Sequence, residues 1–479
     1  MFHKYSDKKI LVVGMARSGI GAANLLTQLG ADVALNDRKT EEECRDKLQA
    51  LDRRVCTLYC GHPDEFFLNK DLIVVSPGVP IEMPCFREAA ARGIRIIGEL
   101  ELGYEILSSF DASPEFYAIT GSNGKSTTTT LLNEMMRASG FSTMICGNIG
   151  NAITEEISAG AARMDGSDIY EKIKLFAESL QKVVVEVSSF QLEGISGFRP
   201  KGAVILNITQ DHMDRYHGMN LYTDAKLKVF MNQSAGDLIV LNADDPLTED
   251  AGLRLMQRAA RGSRVAKVLF FSRKKEVRGA YLDNDRIRFN AFGGIDLTLN
   301  PEELGIKGVH NIENVMAASL LALSAGCSTS AVESAARSFQ GLEHRLEFVR
   351  EIDGVKYFND SKGTNVGAVI KSLEGFSQKV VLIAGGRDKD SNFKELKPYV
   401  QERVKALVLI GEAAGKIKDA LQDSASVFNA ESLEDAVAKA KGLAVSGEVV
   451  LLSPACASFD MFRDFEDRGK QFKDIVGSM

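Results

Sequence analysis

The sequence predicts an α/β protein of three domains: a Rossmann-like N-terminal domain, a central P-loop ATPase-like parallel-sheet domain and a C-terminal Rossmann-like domain. Three observations carry this. The apolar run Lys9–Val13 (KILVV) meets the turn Gly14–Gly19 and then a helical pattern. An apolar run ending at Thr120 leads straight into Gly121-Ser122-Asn123-Gly124-Lys125-Ser126-Thr127. From Gly354 onward, runs of four or more apolar residues recur, each ending in Gly, Ser, Asp or Asn. Buried parallel strands have this pattern, and ligands bind at their carboxyl ends. At about 150 residues per domain, the 479 residues fit three units, and 45% hydrophobic content supplies their cores. The expected units are 1–110, 111–342 and 343–479.

In the first unit a helix is expected over Ile20–Leu29, a strand over Asp32–Asn36 ending at Asp37, and a strand over Asp71–Gly78 ending in Ser-Pro-Gly. Strand, glycine turn, helix, strand and acidic residue follow the order of a mononucleotide-binding fold. The turn Gly14-x-Ala16-x-x-Gly19 lacks the middle glycine that lets a pyrophosphate approach closely. A dinucleotide is therefore disfavoured. A nucleotide lying differently across the strand ends, or a packing turn without ligand, stays open. The small, polar stretch Ser108–Glu115 reads as a linker.

The second unit opens on the phosphate loop. Glycines let the backbone N–H groups curl toward a phosphate, and the helix start adds its positive dipole end. Lys125 supplies a charge, and Ser126 or Thr127 an oxygen for Mg²⁺. Only two residues separate Gly121 from Gly124, against four in the usual loop. Strands are expected over Lys182–Ser189, Ala203–Thr209, Asp237–Asn242 and Val265–Ser272, and a helix over Asn311–Gly326. Residues 159–181 read as a helical insertion without an assigned role.

Glu186 interrupts an apolar run, which is costly unless it meets a cation or sits on an exposed edge strand. Asp211, His212 and Asp214 gather just after a strand, and imidazole and carboxylate both suit divalent ions. A loop histidine without function is the alternative. Lys226, in the amphipathic stretch Thr223–Phe230, is an ordinary surface lysine by residue type alone.

In the third unit, strands are expected within Gly354–Asn365, Lys379–Gly386, Ala406–Glu412 and Glu448–Ser458. Arg345 could clamp phosphate oxygens bidentately. Asp360 could hold a ribose hydroxyl and Lys362 an anion, or all three could belong to a hydrogen-bonded turn. Cys456 reads as a buried structural thiol.

A net charge of −7 argues against a nucleic-acid partner. The seven cysteines follow no ligand spacing, and their odd number suits a reducing compartment. No apolar stretch approaches the roughly 18 residues of a membrane span, and the N-terminus has no signal-peptide pattern. A cytoplasmic protein without a membrane partner, and a monomer, is the expectation.

Taken together, Thr120–Thr127, Val185–Glu193, Leu206–Tyr216, His310–Asn314, Leu342–Arg345, Asn359–Asn365 and Leu452–Phe462 resemble, in order, the motifs of the Mur ligases. These are ATP-dependent amide-forming enzymes of peptidoglycan precursor synthesis. Asn359–Asn365 combined with Ser453–Asp460 resembles most the branch that adds D-glutamate to UDP-N-acetylmuramoyl-L-alanine. Sister ligases for other amino acids, and folylpolyglutamate-synthase-like enzymes, are the alternatives; the Asp-Asn-Pro-Arg stretch that diamino-acid adders would carry is absent. A dehydrogenase or nucleotide sensor built on the first unit would need tight NAD binding.

The resemblance implies ATP and two Mg²⁺ ions, with Lys125 and His212 as catalytic groups beside a carbamylated Lys226. Gly121, Ser122, Asn123, Gly124, Lys125, Ser126, Thr127, Asn314, Arg345 and Asp360 would hold the nucleotide. Ser126, Glu186, His212 and Lys226 would serve the metal ions. Arg17, Ser18, Asp37, Arg38, Gly78 and Asn148 would hold the UDP substrate. Lys362, Thr364, Lys389, Ser458, Phe459 and Phe465 would receive the incoming amino acid.

Overall fold

The protein is described by a computed structural model covering residues 4–479, apart from Asp46, Pro63, Asp214, Gly294 and Ile295. Asp214, one of the acidic residues after the second-unit strand, thus lies outside the described residues.

The first sheet is parallel throughout. It contains β1 (Lys9–Val13), β2 (Asp32–Asn36), β3 (Cys56–Leu58), β4 (Leu72–Val75) and β5 (Arg95–Gly98) in the order β3-β2-β1-β4-β5. The reversal of order beside β1 puts the Gly14 turn at a topological switch point. Its helix starts at Arg17, three residues earlier than the apolar pattern indicates, because Ala16 and Arg17 sit exposed ahead of the first buried turn.

The second sheet has nine strands. They are β6 (Glu115–Thr120), β7 (Thr143–Gly147), β8 (Lys182–Glu186), β9 (Gly202–Ile205), β10 (Leu238–Asn242), β11 (Lys267–Ser272), β12 (Gly279–Asp283), β13 (Arg286–Phe289) and β14 (Thr298–Leu299). Their order is β14-β13-β12-β11-β10-β9-β6-β8-β7. Strands β6 to β12 run parallel, and β13 and β14 close one edge antiparallel. The phosphate loop leaves β6, which lies between β8 and β9, so the groups that follow those two strands flank it.

The third sheet contains β15 (Glu347–Ile352), β16 (Val355–Asn359), β17 (Val380–Gly385), β18 (Val404–Ile410), β19 (Ser426–Asn429) and β20 (Val449–Leu452). The order is β15-β16-β20-β17-β18-β19, parallel except for β15 against β16.

The first two sheets are joined firmly. One apolar cluster holds Leu25 and Leu29 from the N-terminal side together with Ile157 and Phe176 from the central side. The helix Glu99–Leu107 adds two buried carboxylates across the seam. Glu101 accepts the backbone N–H groups of Ser196, Gly197 and Phe198 at 2.9, 2.6 and 2.9 Å. Glu99 Oε1 accepts Thr154 N–H and Oγ1–H at 2.8 and 2.7 Å. The stretch 159–181 belongs to the same seam. Its helix Ile169–Ser179 sends the Tyr170 hydroxyl to the carbonyl of Leu29 at 2.7 Å.

Candidate active site

The phosphate loop is braced from β9. Ser122 N–H donates to Asn207 O at 2.9 Å, and Asn123 N–H to Asn207 Oδ1 at 2.8 Å. Ser122 Oγ bonds Thr209 O at 2.8 Å and Tyr222 OH at 3.1 Å. Gly124 caps the helix Lys125–Ala138 with φ +85°, a left-handed conformation that glycine adopts without strain. Close packing adds a second requirement, since a Cβ there would lie 2.4 Å from Asn314 Oδ1.

Asn314 is therefore a wall of the loop as well as of the cleft. Its Oδ1 accepts from Thr128 Oγ1 at 3.2 Å, and its Nδ2 donates to Asn311 Oδ1 at 3.0 Å. Lys125 Nζ folds back onto the carbonyls of Gly121 and Ser122, at 2.8 Å each.

A cleft of about 1150 Å³ runs from this loop to the third sheet. Asn123, Gly124, Thr127, Asn314, Arg345, Asp360 and Lys362 line it. Arg345 spans the two sides, donating from its guanidinium to Ser126 Oγ at 2.5 Å. Asp360 accepts from Ser372 Oγ and Ser453 Oγ at 2.7 Å each and from Leu346 N–H at 3.2 Å. Burial outweighs these bonds and raises its pKa to about 6.

A second cavity of about 230 Å³ gathers Asp211, His212, Thr364, Asn365 and Lys389. His212 sits at φ +56° with its ring 4.8 Å from that of Phe190 and its Nε2 3.6 Å from Asp211.

Three stretches match family models: residues 8–98 the Mur ligase MurD-like N-terminal domain, 119–322 the Mur ligase middle domain, and 344–456 the Mur ligase glutamate ligase domain. The UDP-N-acetylmuramoylalanine–D-glutamate ligase of Geotalea daltonii is 44% identical over 473 residues, covering 98% of each chain. The chain belongs to the Mur ligase family. The ligase of the same name from Clostridioides difficile is 40% identical over 98% of this chain and 99% of that one. Among solved structures, MurF from Acinetobacter baumannii superposes with a TM-score of 0.61 at 16% identity, covering 99% of this chain and 98% of that one. The UDP-N-acetylmuramate–alanine ligase of Thermotoga maritima gives 0.57 at 19% identity, covering 98% and 99%. At such identities these two speak for the fold.

In this Mur ligase, burial changes how Lys226 reads. Residue type and helical context make it a surface lysine, yet it is 1% exposed. The helix Met219–Leu227 turns it inward, where Nζ donates to Gly121 O at 3.0 Å and lies 4.5 Å from the Tyr222 ring centre. Two lysine amines thus converge on one carbonyl. Burial first, then the Lys125 charge, holds the Lys226 pKa well below the usual lysine range. Burial likewise lowers Lys125, and nearby Glu186 and Asp211 oppose that shift.

Glu186 ends β8, inside the sheet and 1% exposed, so it is not on an edge strand. Its Oε1 accepts from Asn148 Nδ2 at 2.6 Å, while its Oε2 is buried with no hydrogen-bond partner among the described residues. A buried carboxylate oxygen left open in this way suits a divalent cation. No three His, Cys, Asp or Glu side chains form a metal cage among the described residues. Magnesium commonly takes one or two carboxylates and completes its shell with phosphate and water, so Glu186 with the Ser126 hydroxyl fits it.

Of the amino-acid candidates, Lys362, Thr364 and Lys389 line the cavities. Lys362 Nζ lies 3.6 Å from the Phe465 ring centre at the larger cleft. Burial and the Arg345 charge bring its pKa down to about 8. Thr364 and Lys389 line the smaller cavity, Ser458 is buried, and Phe459 is 62% exposed, outside both cavities. Burial pushes the Cys456 thiol up to about 12, an inert state.

Of the expected UDP contacts, Arg17, Asp37 and Asn148 are bonded internally. Asp37 accepts Met15 N–H at 2.7 Å and Lys39 N–H at 3.0 Å, and Arg17 reaches into the central domain. Ser18 is half-buried, and Arg38 and Gly78 are exposed. Asn365 is a residue of the candidate site that the sequence does not single out. Its Nδ2 bridges Asn123 Oδ1 at 3.3 Å and Asp211 Oδ2 at 3.2 Å, tying the third sheet to the phosphate loop. The sole local signal is its place at the end of the polar run after β16.

Proposed function

We propose that this chain joins D-glutamate to UDP-N-acetylmuramoyl-L-alanine at the expense of ATP, releasing ADP and phosphate. The observation that carries this reading is the convergence of the Lys125, Arg345 and Lys362 charges around a phosphate loop whose neighbour Glu186 keeps one buried oxygen open. Relatives of that name at 40–44% identity over nearly the whole chain support the choice of substrates.

The substrate carboxylate attacks the γ-phosphorus, and the bond to the β-phosphate oxygen breaks. The acyl phosphate so formed is attacked at carbon by the D-glutamate amine. The tetrahedral adduct then expels phosphate, and the amine proton is lost. Much of the protein's work is positioning and charge neutralisation.

Lys125 and the loop N–H groups hold the outer phosphates, and Arg345 stabilises charge on the transferring group. Asn314 and Asp360 hold the nucleoside. Lys362, Thr364, Lys389, Ser458, Phe459 and Phe465 are assigned to the amino acid, and Arg17, Ser18, Asp37, Arg38, Gly78 and Asn148 to the UDP substrate. One magnesium ion would be held through Glu186 and Ser126 and a second through His212 beside the carbamylated Lys226, and they would supply charge stabilisation at the phosphates.

A neutral Lys226 amine can add to CO₂ and lose a proton, becoming a carbamate. Burial beside Lys125 favours both steps, first by keeping the amine uncharged and then by offering the anion a cation. The proposed units are 1–110, 111–342 and 343–479, which hold one sheet each, acting as a cytoplasmic monomer. The test is phosphate release from ATP with substrates omitted in turn. Release should require both UDP-N-acetylmuramoyl-L-alanine and D-glutamate. Turnover with L-alanine or meso-diaminopimelate in place of D-glutamate would refute the assignment.

A further inference from the structure

The turn after β7 lies between two parts of the molecule. Gly147 N–H donates to Asn151 O at 3.0 Å and closes the turn. Gly147 has φ +105°, and a Cβ there would lie 2.3 Å from Glu186 O, so the turn is pressed against the end of β8. Asn148 then bonds Glu186 twice. Its backbone N–H donates to Glu186 O at 2.9 Å, and its side-chain amide to Glu186 Oε1 at 2.6 Å. On the other flank stands Arg17 of the N-terminal domain. It donates to Gly150 O at 2.6 Å, to Asn151 Oδ1, and to Glu155 Oε2 at 2.8 Å.

A carboxylate at the end of a strand can rotate about its side-chain torsions. Asn148 removes that freedom by holding one oxygen, and the other, Oε2, is left buried and open. Partners that orient a metal-bound carboxylate commonly change metal affinity about 10- to 100-fold when removed. We propose that Asn148 is a positioning residue for Glu186, fixing the carboxylate so that Oε2 stays presented to the metal, and that Arg17 steadies the same turn from the N-terminal domain. This gives the Asn148 amide to Glu186 in place of the UDP-linked substrate, and it rests on the reading of Glu186 as the magnesium ligand. It also gives the substrate-binding domain a short physical connection to the metal site: Arg17, the turn 147–151, Asn148 and Glu186.

The experiment is an equilibrium titration of the full chain with Mn²⁺, followed by electron paramagnetic resonance, in the presence of a non-hydrolysable ATP analogue. Glu186→Gln should abolish the tight Mn²⁺ site. Asn148→Ala should weaken it about tenfold with the melting temperature unchanged, and raised Mg²⁺ should restore turnover. Arg17→Ala should produce a smaller loss, about two- to threefold. Unchanged Mn²⁺ affinity in Asn148→Ala beside a lost site in Glu186→Gln overturns the positioning role alone. A raised KM for the UDP-linked substrate with intact Mn²⁺ affinity overturns it in the same way. A site that survives Glu186→Gln overturns the metal assignment beneath it.

Discussion

Replacing Gly124 by alanine should cripple nucleotide binding, and the structure gives the size of the effect. The residue sits at φ +85°, where a side chain costs about 1–2 kcal/mol. The added Cβ would lie 2.4 Å from Asn314 Oδ1, so Asn314 must shift. That shift breaks its bonds to Thr128 and Asn311, worth about 1 kcal/mol each. The total is roughly 3–4 kcal/mol. The free loop can escape the strain by leaving this geometry, and a bound triphosphate must restore it, so affinity carries the penalty. At about 1.4 kcal/mol per decade, the dissociation constant of a non-hydrolysable ATP analogue should rise by about two to three orders of magnitude.

Gly140 supplies the control. It has the same φ of +85°, but nothing lies within 4 Å of an added Cβ. Gly140→Ala should lose only the backbone cost, read as a small drop in stability, with affinity unchanged. Calorimetric titration of both variants decides the matter. A Gly124→Ala affinity within threefold of the parent would show that the loop does not cradle phosphate in the described geometry.

Two further outcomes follow from buried lysines. Lys226→Ala should lose most turnover and regain part of it with short-chain carboxylic acids, which replace the missing anion; steady-state rates with and without acetate test this, and absence of rescue counts against the carbamate. Lys362, with its pKa lowered to about 8, is cationic below that value and neutral above it. KM for D-glutamate should therefore climb as pH rises through about 8, and Lys362→Arg should keep KM flat to higher pH; a flat parental profile would remove Lys362 from the carboxylate site.

Much of the candidate site was legible because its signals are local. The glycines, lysine and hydroxyls of 121–127 follow an apolar strand directly, so contiguous residues announce the loop, although Asn207 and Thr209 brace its curl from a distance. The long apolar cores of β1, β4, β8, β10, β17 and β20 announce themselves in the same way, since strands covered on both faces need no polar alternation. The edges were not legible. β3, β13, β14 and β15 are short or half exposed, so their composition resembles that of loops.

The sequence by itself determined the three α/β units, the phosphate loop and the family, because each is written in contiguous residues. Tertiary structure alone decided that Lys226 is buried against Gly121, that Asn365 bridges to Asp211, and that Asn148 holds Glu186. The physical reason is sequence distance. Those partners lie 105, 154 and 38 residues apart, and the environment that sets their chemistry exists only after the sheets have paired and the third domain has met the second.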